Sequence, residues 1–300
     1  MDRETPDRIR ITAKITGLPP VTLITESGWT ATPVHFFVMW LSRMDLPINQ
    51  IICGDNCDVL GTLPRDCIDL VVTSPPYDDL RTYGGHDWDF YGVAWQLKRV
   101  LKPGGVIVWV VGDATKDGSE TGSSMLQALH FQTLGMRLHD TMIYCSDKPP
   151  LNSNRYEHAW EYMIVATKGK PKTFNKLTRK TLHGGKQNTS RRYFRGNGEL
   201  KEMSKPGTYN ETATLPNVWW YATGLEKTGH PAVFPAKLAT DHILSWSNEG
   251  DIVLDPFSGS GTTAKMAKHN GRKYIGIEVN AEYCEIAKTR LAQGVLDFAT

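Results

Sequence analysis

A doubly wound, mostly parallel α/β sheet is the fold class this sequence predicts, and three observations predict it. Short apolar runs end repeatedly in turns rich in glycine and proline. Segments of helical spacing separate those runs. The two most distinctive turns, Thr73-Ser74-Pro75-Pro76-Tyr77 and Asp255-Pro256-Phe257-Ser258-Gly259-Ser260-Gly261, both stand where an apolar run stops. Alternation of this kind places helices on both faces of a sheet whose strands run largely in parallel.

Taken in order, residues 1 to about 46 mix Thr, Pro, Gly and charges with little periodicity and read as an N-terminal extension without recognisable chemistry. Ile48 to Asp55 is a short apolar strand ending in a turn, and Ile68 to Val72 is a buried strand closed by two prolines that cannot lie inside a central strand. Trp88 to Leu101 has helical spacing, Lys102-Pro103-Gly104-Gly105 is a stop, and Val106 to Val111 is the next strand. Met125 to Gly135 reads as a helix, and His139 to Cys145 and Trp160 to Thr167 as strands. Beyond a basic stretch come a helix over Pro235 to Asn248, a strand over Asp251 to Leu254, a helix over Thr262 to His269 and a strand over Lys273 to Ile277.

Composition sets the outer bounds. With 300 residues, 40% hydrophobic and 22% charged, the chain suits one large globular core carrying insertions. The net charge of +2 conceals an asymmetry: Lys168 to Lys205 holds twelve Lys or Arg against Glu199 and Glu202, about +10, so the remainder is about −8. A segment like that points to a polyanionic partner. Five cysteines without a second pair near Cys53 and Cys57 argue against a zinc site and for a reducing cytoplasm. Val34 to Leu41 is too short to span a bilayer and follows no basic leader, so no signal peptide, membrane span or metal site is expected.

The turn after Asp255 has the physics of a nucleotide site. Gly259 and Gly261 let the backbone approach a ligand, and the helix beginning at Thr262 offers unpaired N–H groups. Glu278, twenty-three residues beyond Asp255, closes the next strand where a carboxylate can accept both ribose hydroxyl protons. This pattern alone also fits a dinucleotide. Asp255 shifts the weight, because a carboxylate repels a pyrophosphate and attracts the ammonium and sulfonium cations of S-adenosylmethionine.

The turn at Ser74 supplies a complementary chemistry. An exocyclic amino group carries two protons and needs acceptors that aim its lone pair at a methyl donor. The Ser74 hydroxyl and the Pro75 carbonyl provide them, Pro76 keeps the backbone stiff, and Tyr77 can stack on a base drawn out of a duplex. The alternative of a turn with no function weakens once the Asp255 turn is counted beside it.

These motifs together resemble the DNA amino-methyltransferases, in the permuted group where the catalytic motif precedes the cofactor motif. The resemblance covers roughly residues 48 to 292 and rests on Gly54-Asp55, the Ser-Pro-Pro-Tyr tetrad at 74 to 77, Leu101 to Gly105, Gly229 to Pro235, Asp255 to Gly261, and Glu278. It implies a Rossmann-like methyltransferase fold in which Asp55 binds the adenine amino group, Phe257 packs beside the cofactor, Glu278 holds the ribose, and His230 to Pro235, with Phe234, covers the methionine end. Asp55 as a plain turn cap and Phe257 as core packing stand as the alternatives. The implied division is an extension (1–46), a catalytic half (47–167), a target-recognition region (168–217) and a cofactor half (218–300).

In the recognition region Lys176, Arg179, Lys180, Lys186, Arg191, Arg192 and Arg195 would neutralise phosphates of double-stranded DNA, with Phe174, Tyr193, Phe194 and Tyr209 available for stacking. Much of it is expected to be loop. The resemblance leaves room for a homodimer and for a cognate restriction enzyme as partners. Within the family it resembles, Ser before Pro-Pro-Tyr is more typical of cytosine N4 enzymes and Asp or Asn of adenine N6 enzymes, so the resemblance favours cytosine N4 over adenine N6 as the methylated atom. Transfer to carbon 5 of cytosine usually proceeds through a nucleophilic Cys following Pro, and the chain has no Pro-Cys dipeptide. Protein-amide methylation and a non-catalytic DNA-binding role are the remaining competitors, opposed respectively by motif order and by the intact site residues.

Overall fold

The computed structural model describes residues 10–13, 21–24, 46–76, 88–146, 156, 159–188, 192–194, 197–202, 207–222 and 235–293. The chain divides into two compact units, Met1–Asp45 and Leu46–Thr300. In the first, Arg10–Ala13 and Val21–Ile24 form an antiparallel ladder.

The second unit is built on an eight-stranded sheet. Its elements in chain order are β1 (Gln50–Cys53), α1 (Asn56–Thr62), β2 (Ile68–Thr73), α2 (Phe90–Val100), β3 (Leu101–Val111), α3 (Ser123–Thr133), β4 (Arg137–Cys145), β5 (Trp160–Thr167), β6 (Val218–Trp220), α4 (Ala236–Trp246), β7 (Ile252–Asp255), α5 (Thr262–His269), β8 (Lys273–Glu278) and α6 (Ala281–Ala292). The strands lie in the order β6-β4-β5-β3-β2-β7-β8-β1. Only β5 opposes its neighbours, pairing antiparallel with both β3 and β4. The predicted class, a mostly parallel doubly wound sheet, is the one observed.

Alternation along β3 shows how the two faces arise. Val106, Val108 and Val110 enter one core with Leu238, Ile243 and Trp246 of α4, Ala264 and Ala267 of α5, and Ala287 and Leu291 of α6. Ile107, Trp109 and Val111 point the other way, to a core shared with Leu60 of α1, Val93, Leu97 and Val100 of α2, and Phe131 of α3. Successive side chains of a strand take opposite faces, so one continuous apolar run must be covered twice.

The structure corrects the sequence reading in several places. Lys102 to Gly105 ends α2 but does not separate it from a strand: Ile68 pairs with Leu101 and Leu70 with Val106, so these residues form a bulge inside β3 with Gly104 at φ +80. Helices α1 and α6 were not anticipated; Asp55 caps the first and Asn280 the second. The largest correction concerns the basic segment, which is an antiparallel ribbon instead of a loop. Thr178–Lys180 pairs with Thr212–Thr214, Gln187–Asn188 with Gly207–Thr208, and Arg192–Phe194 with Leu200–Glu202.

Candidate active site

Strands β3, β2, β7, β8 and β1 are consecutive and parallel, so their carboxyl ends share one edge. That edge gathers Ser74, Pro75 and Pro76 after β2, Asp255 and Phe257 at the end of β7, Glu278 at the end of β8, and Asp55 after β1. Open α/β sheets bind ligands at this edge.

Asp255 is its most constrained group. The residue is 2% exposed. Its Oδ1 accepts from the Thr73 hydroxyl at 2.6 Å and from the Phe257 N–H at 3.1 Å. Burial pushes its pKa up to about 6, the charge of Glu278 adds to the rise, and the bonds from Thr73 and Phe257 oppose it. Among the described residues no Lys or Arg pairs with it. A buried carboxylate without a counter-ion is costly, and a ligand that brings a cation removes the cost.

The glycine turn wraps around this carboxylate. Gly259 and Gly261 have φ of +50 and +80. A Cβ on Gly261 would lie 2.9 Å from Ala287 Cβ, so glycine is required there by the close approach of α6 as well as by its backbone. Glu278 reaches back to the turn: its Oε2 accepts from Gly259 N at 2.8 Å and its Oε1 from Asn280 N at 2.9 Å. A carboxylate oxygen has a second acceptor direction, so both bonds orient Glu278 without exhausting it. Thr262 is buried, with its hydroxyl 3.3 Å from the Arg290 guanidinium that also binds Ser260. Asp55 accepts from Asp58 N at 3.1 Å, capping α1, and remains exposed.

Some residues here were given no role of their own by the sequence. Thr73 opens the Ser74 turn without a separate part in it, and Trp109 sits inside an apolar run and reads as core. Trp109, in register with Thr73, donates to Gln127 Oε1 at 2.7 Å. Phe257 packs edge-on to Trp88 with centroids 4.9 Å apart, half-buried against the core. Asp113, after β3, accepts from Ser124 N and Oγ and from Ser123, and caps α3. Burial alone would raise its pKa, but those bonds hold it below the usual carboxylate range, so it remains an anion.

On the ribbon, Lys176, Arg179, Lys180 and Lys186 are exposed and form no ion pair among the described residues. Its root is fixed to α4: Asn175 donates to the Leu244 and Ser247 carbonyls, and Leu177 and Leu215 pack on the core. Phe174, expected among the base-stacking residues, stacks on Trp246 at 4.8 Å and anchors the root instead. Lys168, also in the basic stretch, is taken up by Asp66 and two backbone carbonyls. Tyr77, His230, Phe234, Arg191 and Arg195 lie outside the described residues, as does the side chain of Arg192. Among the described residues no His, Cys and carboxylate group is arranged to hold a metal, and no helix is long and apolar enough to cross a membrane.

Comparison with known proteins agrees with this architecture. The DNA methylase family of the N6/N4 type matches residues 68–289. The orphan methyltransferase M.BamHII of Bacillus amyloliquefaciens is 52% identical over 242 residues, covering 77% of this chain and 91% of that protein. The DNA adenine methyltransferase YhdJ of Escherichia coli K12 is 30% identical over 274 residues, covering 83% and 85%. Among solved structures, the M1.HpyAVI–SAM complex superposes with a TM-score of 0.55 at 25% identity, covering 81% and 98%. The cytosine-N4-specific PvuII DNA methyltransferase shares the fold with a TM-score of 0.61 at 21% identity, covering 82% and 87%. With the family matched over most of its length and a relative half identical to it, the chain belongs to the N6/N4 DNA methylases.

Proposed function

We propose that this protein is a permuted-order DNA methyltransferase that uses S-adenosylmethionine to methylate the exocyclic amino group of a flipped base, cytosine N4 in preference to adenine N6. One observation carries the reading: a buried carboxylate, Asp255, with no cationic partner among the described residues, lies one hydrogen bond from the residue preceding Ser74-Pro75-Pro76. A cationic methyl donor and an amino acceptor are the two reactants that such an edge would bring together.

When bound, S-adenosylmethionine supplies an electrophilic methyl group. Asp255 would hold its ammonium, Glu278 the ribose hydroxyls, Asp55 the adenine amino group, and Phe257 one face of the ring, while the backbone at Gly259 and Gly261 admits the ligand closely. His230 and Phe234 would cover the methionine end. The Ser74 hydroxyl and the Pro75 carbonyl accept the two amino protons and so direct the nitrogen lone pair in line with the methyl. Pro76 keeps that turn stiff, and Tyr77 stacks on the everted base. Direct transfer would leave S-adenosylhomocysteine and a methylated nitrogen with one proton too many, which the Ser74 hydroxyl would pass on to solvent.

Double-stranded DNA would be gripped by the ribbon. A two-stranded antiparallel ribbon is an element that the major groove admits. Arg179, Lys180 and Lys186, with Lys176 at the root, would neutralise phosphates, as would Arg191, Arg192 and Arg195.

Cytosine N4 is preferred because a serine hydroxyl accepts one amino proton and can donate its own to cytosine N3, whereas a carboxylate only accepts. Relatives of both specificities surround the chain, an adenine enzyme at 30% identity among them. Digestion of methylated DNA to nucleosides, separated by mass, tests the assignment. N4-methylcytosine is the expected product; N6-methyladenine alone would overturn the base and leave the transfer chemistry standing.

A further inference from the structure

The turn at Ser74 and the turn at Gly259 leave the sheet side by side, because β2 and β7 are neighbouring parallel strands. Thr73, the last residue of β2, is wholly buried. Valine has the same shape and would fill that place in an apolar strand without any polar cost, so the hydroxyl calls for a reason. It donates to Asp255 Oδ1 at 2.6 Å, the same oxygen that accepts the Phe257 N–H. One carboxylate oxygen therefore collects a donor from each turn. A second bond, from the Thr263 hydroxyl to the Val72 carbonyl at 3.2 Å, ties the first turn of α5 to the backbone just before Thr73. Residues 182 positions apart in the chain are joined by the first of these bonds.

We infer that Thr73 is a positioning residue that holds Asp255 as an oriented carboxylate and locks the methyl-acceptor turn to the cofactor turn. The inference rests on Asp255 belonging to the cofactor site. A hydrogen bond to the charged form of an acid favours that form, and here it works against burial, which drives Asp255 toward protonation. Among the described residues the groups facing the carboxylate are few. The charge of Glu278 on β8 pushes in the same direction as burial, while Thr73 from β2 and Thr263 from α5 do not titrate. Without the Thr73 hydroxyl, Asp255 stays protonated to higher pH, and a neutral acid does not hold an ammonium.

The sign follows directly. Affinity that depends on ionised Asp255 is present above its pKa and lost as pH falls through it. In Thr73→Val that loss moves to higher pH.

The test is calorimetric titration with S-adenosylmethionine between about pH 5.5 and 8.5, a span that brackets a shift of one or two units. Wild type, Thr73→Val, Thr73→Ser and Asp255→Asn are compared. Thr73→Val is expected to move the midpoint of the affinity profile up by about one unit, weakening binding roughly tenfold on the acid side. Thr73→Ser, which keeps the hydroxyl, is expected to superimpose on wild type. A valine profile identical to wild type, with Asp255→Asn binding poorly, would reduce Thr73 to a space-filling role and leave the site intact. Wild-type affinity in Asp255→Asn would instead remove Asp255 from the cofactor site and the inference with it. Should the valine variant not fold, the serine variant decides: a profile on top of wild type supports the role, and a displaced one overturns it.

Discussion

The carboxyl edge of the sheet and the basic ribbon both carry charge, but they hold it in opposite ways. At the edge, Asp255 is buried and bonded by groups from β2 and its own turn, and Glu278 is fixed by two backbone N–H groups. On the ribbon, Lys176, Arg179, Lys180 and Lys186 stand in solvent without acidic partners among the described residues. Salt screens the second kind of charge and hardly reaches the first. The edge should therefore respond to pH, the ribbon to ionic strength, and substitutions in one should leave the signature of the other unchanged.

The largest effect is expected from Asp255→Ala. It removes the counter-charge and strands the Thr73 hydroxyl and the Phe257 N–H, at about 1 to 3 kcal/mol for each buried group left unsatisfied. Calorimetry should show the loss of S-adenosylmethionine affinity at low and high salt alike. Wild-type Asp255 should also make affinity and apo stability move in opposite directions with pH. Because its folded pKa, about 6, lies above the ordinary 3.8, the folded state binds the proton more tightly. Its contribution to apo stability rises as pH falls from about 6 toward 4 while cofactor affinity declines. Thermal unfolding of wild type and Asp255→Ala across that window checks this, and parallel curves would break the comparison.

Replacing Arg179, Lys180 and Lys186 together by alanine comes next. Each lost phosphate contact lowers the slope of log K against log salt by about 0.9, so the slope for duplex DNA should flatten by up to roughly 2.7. The affinity for S-adenosylmethionine should not change. An unaltered slope would return the ribbon to the status of a solvated hairpin.

The smallest effect is expected at the root. Asn175→Ala removes donors from two carbonyls at the end of α4 and should cost about 1 kcal/mol. If the ribbon works as a fixed arm, DNA affinity should fall slightly while the salt slope stays constant. A change in slope would show that the root itself touches phosphate.

The sheet was largely legible because its turns carry local chemistry. Pro75-Pro76 and Gly259-Ser260-Gly261 mark strand ends wherever they occur, and α5 and β5 fall on the residues that periodicity indicates. The ribbon was not legible, since its strands are only two or three residues long and offer no alternation to read. Helix α6 was missed for a similar reason: Glu282, Glu285, Lys288 and Arg290 interrupt its apolar positions, and Asn280 before it was the one available start signal. At the site, the motif turns and their place at strand ends were visible and the resemblance joined them, but the bond that ties one to the other was not. The bond between Thr73 and Asp255 depends on β2 and β7 becoming neighbours, which no local pattern encodes.

Strand order also sets a timetable for the newborn chain. β1 is an edge strand whose neighbour in the sheet is β8, and Gln50 faces Ile275. The ribosome makes β1 first among the sheet strands and must add some two hundred residues before its partner exists, roughly ten to fifty seconds at ordinary rates of synthesis. β7 and β8 must then slot between β2 and β1, both of which are already made. The Ser74 turn after β2 is therefore made long before the Asp255 and Glu278 turns that stand beside it, and the carboxyl edge is complete only once β7 and β8 have been made.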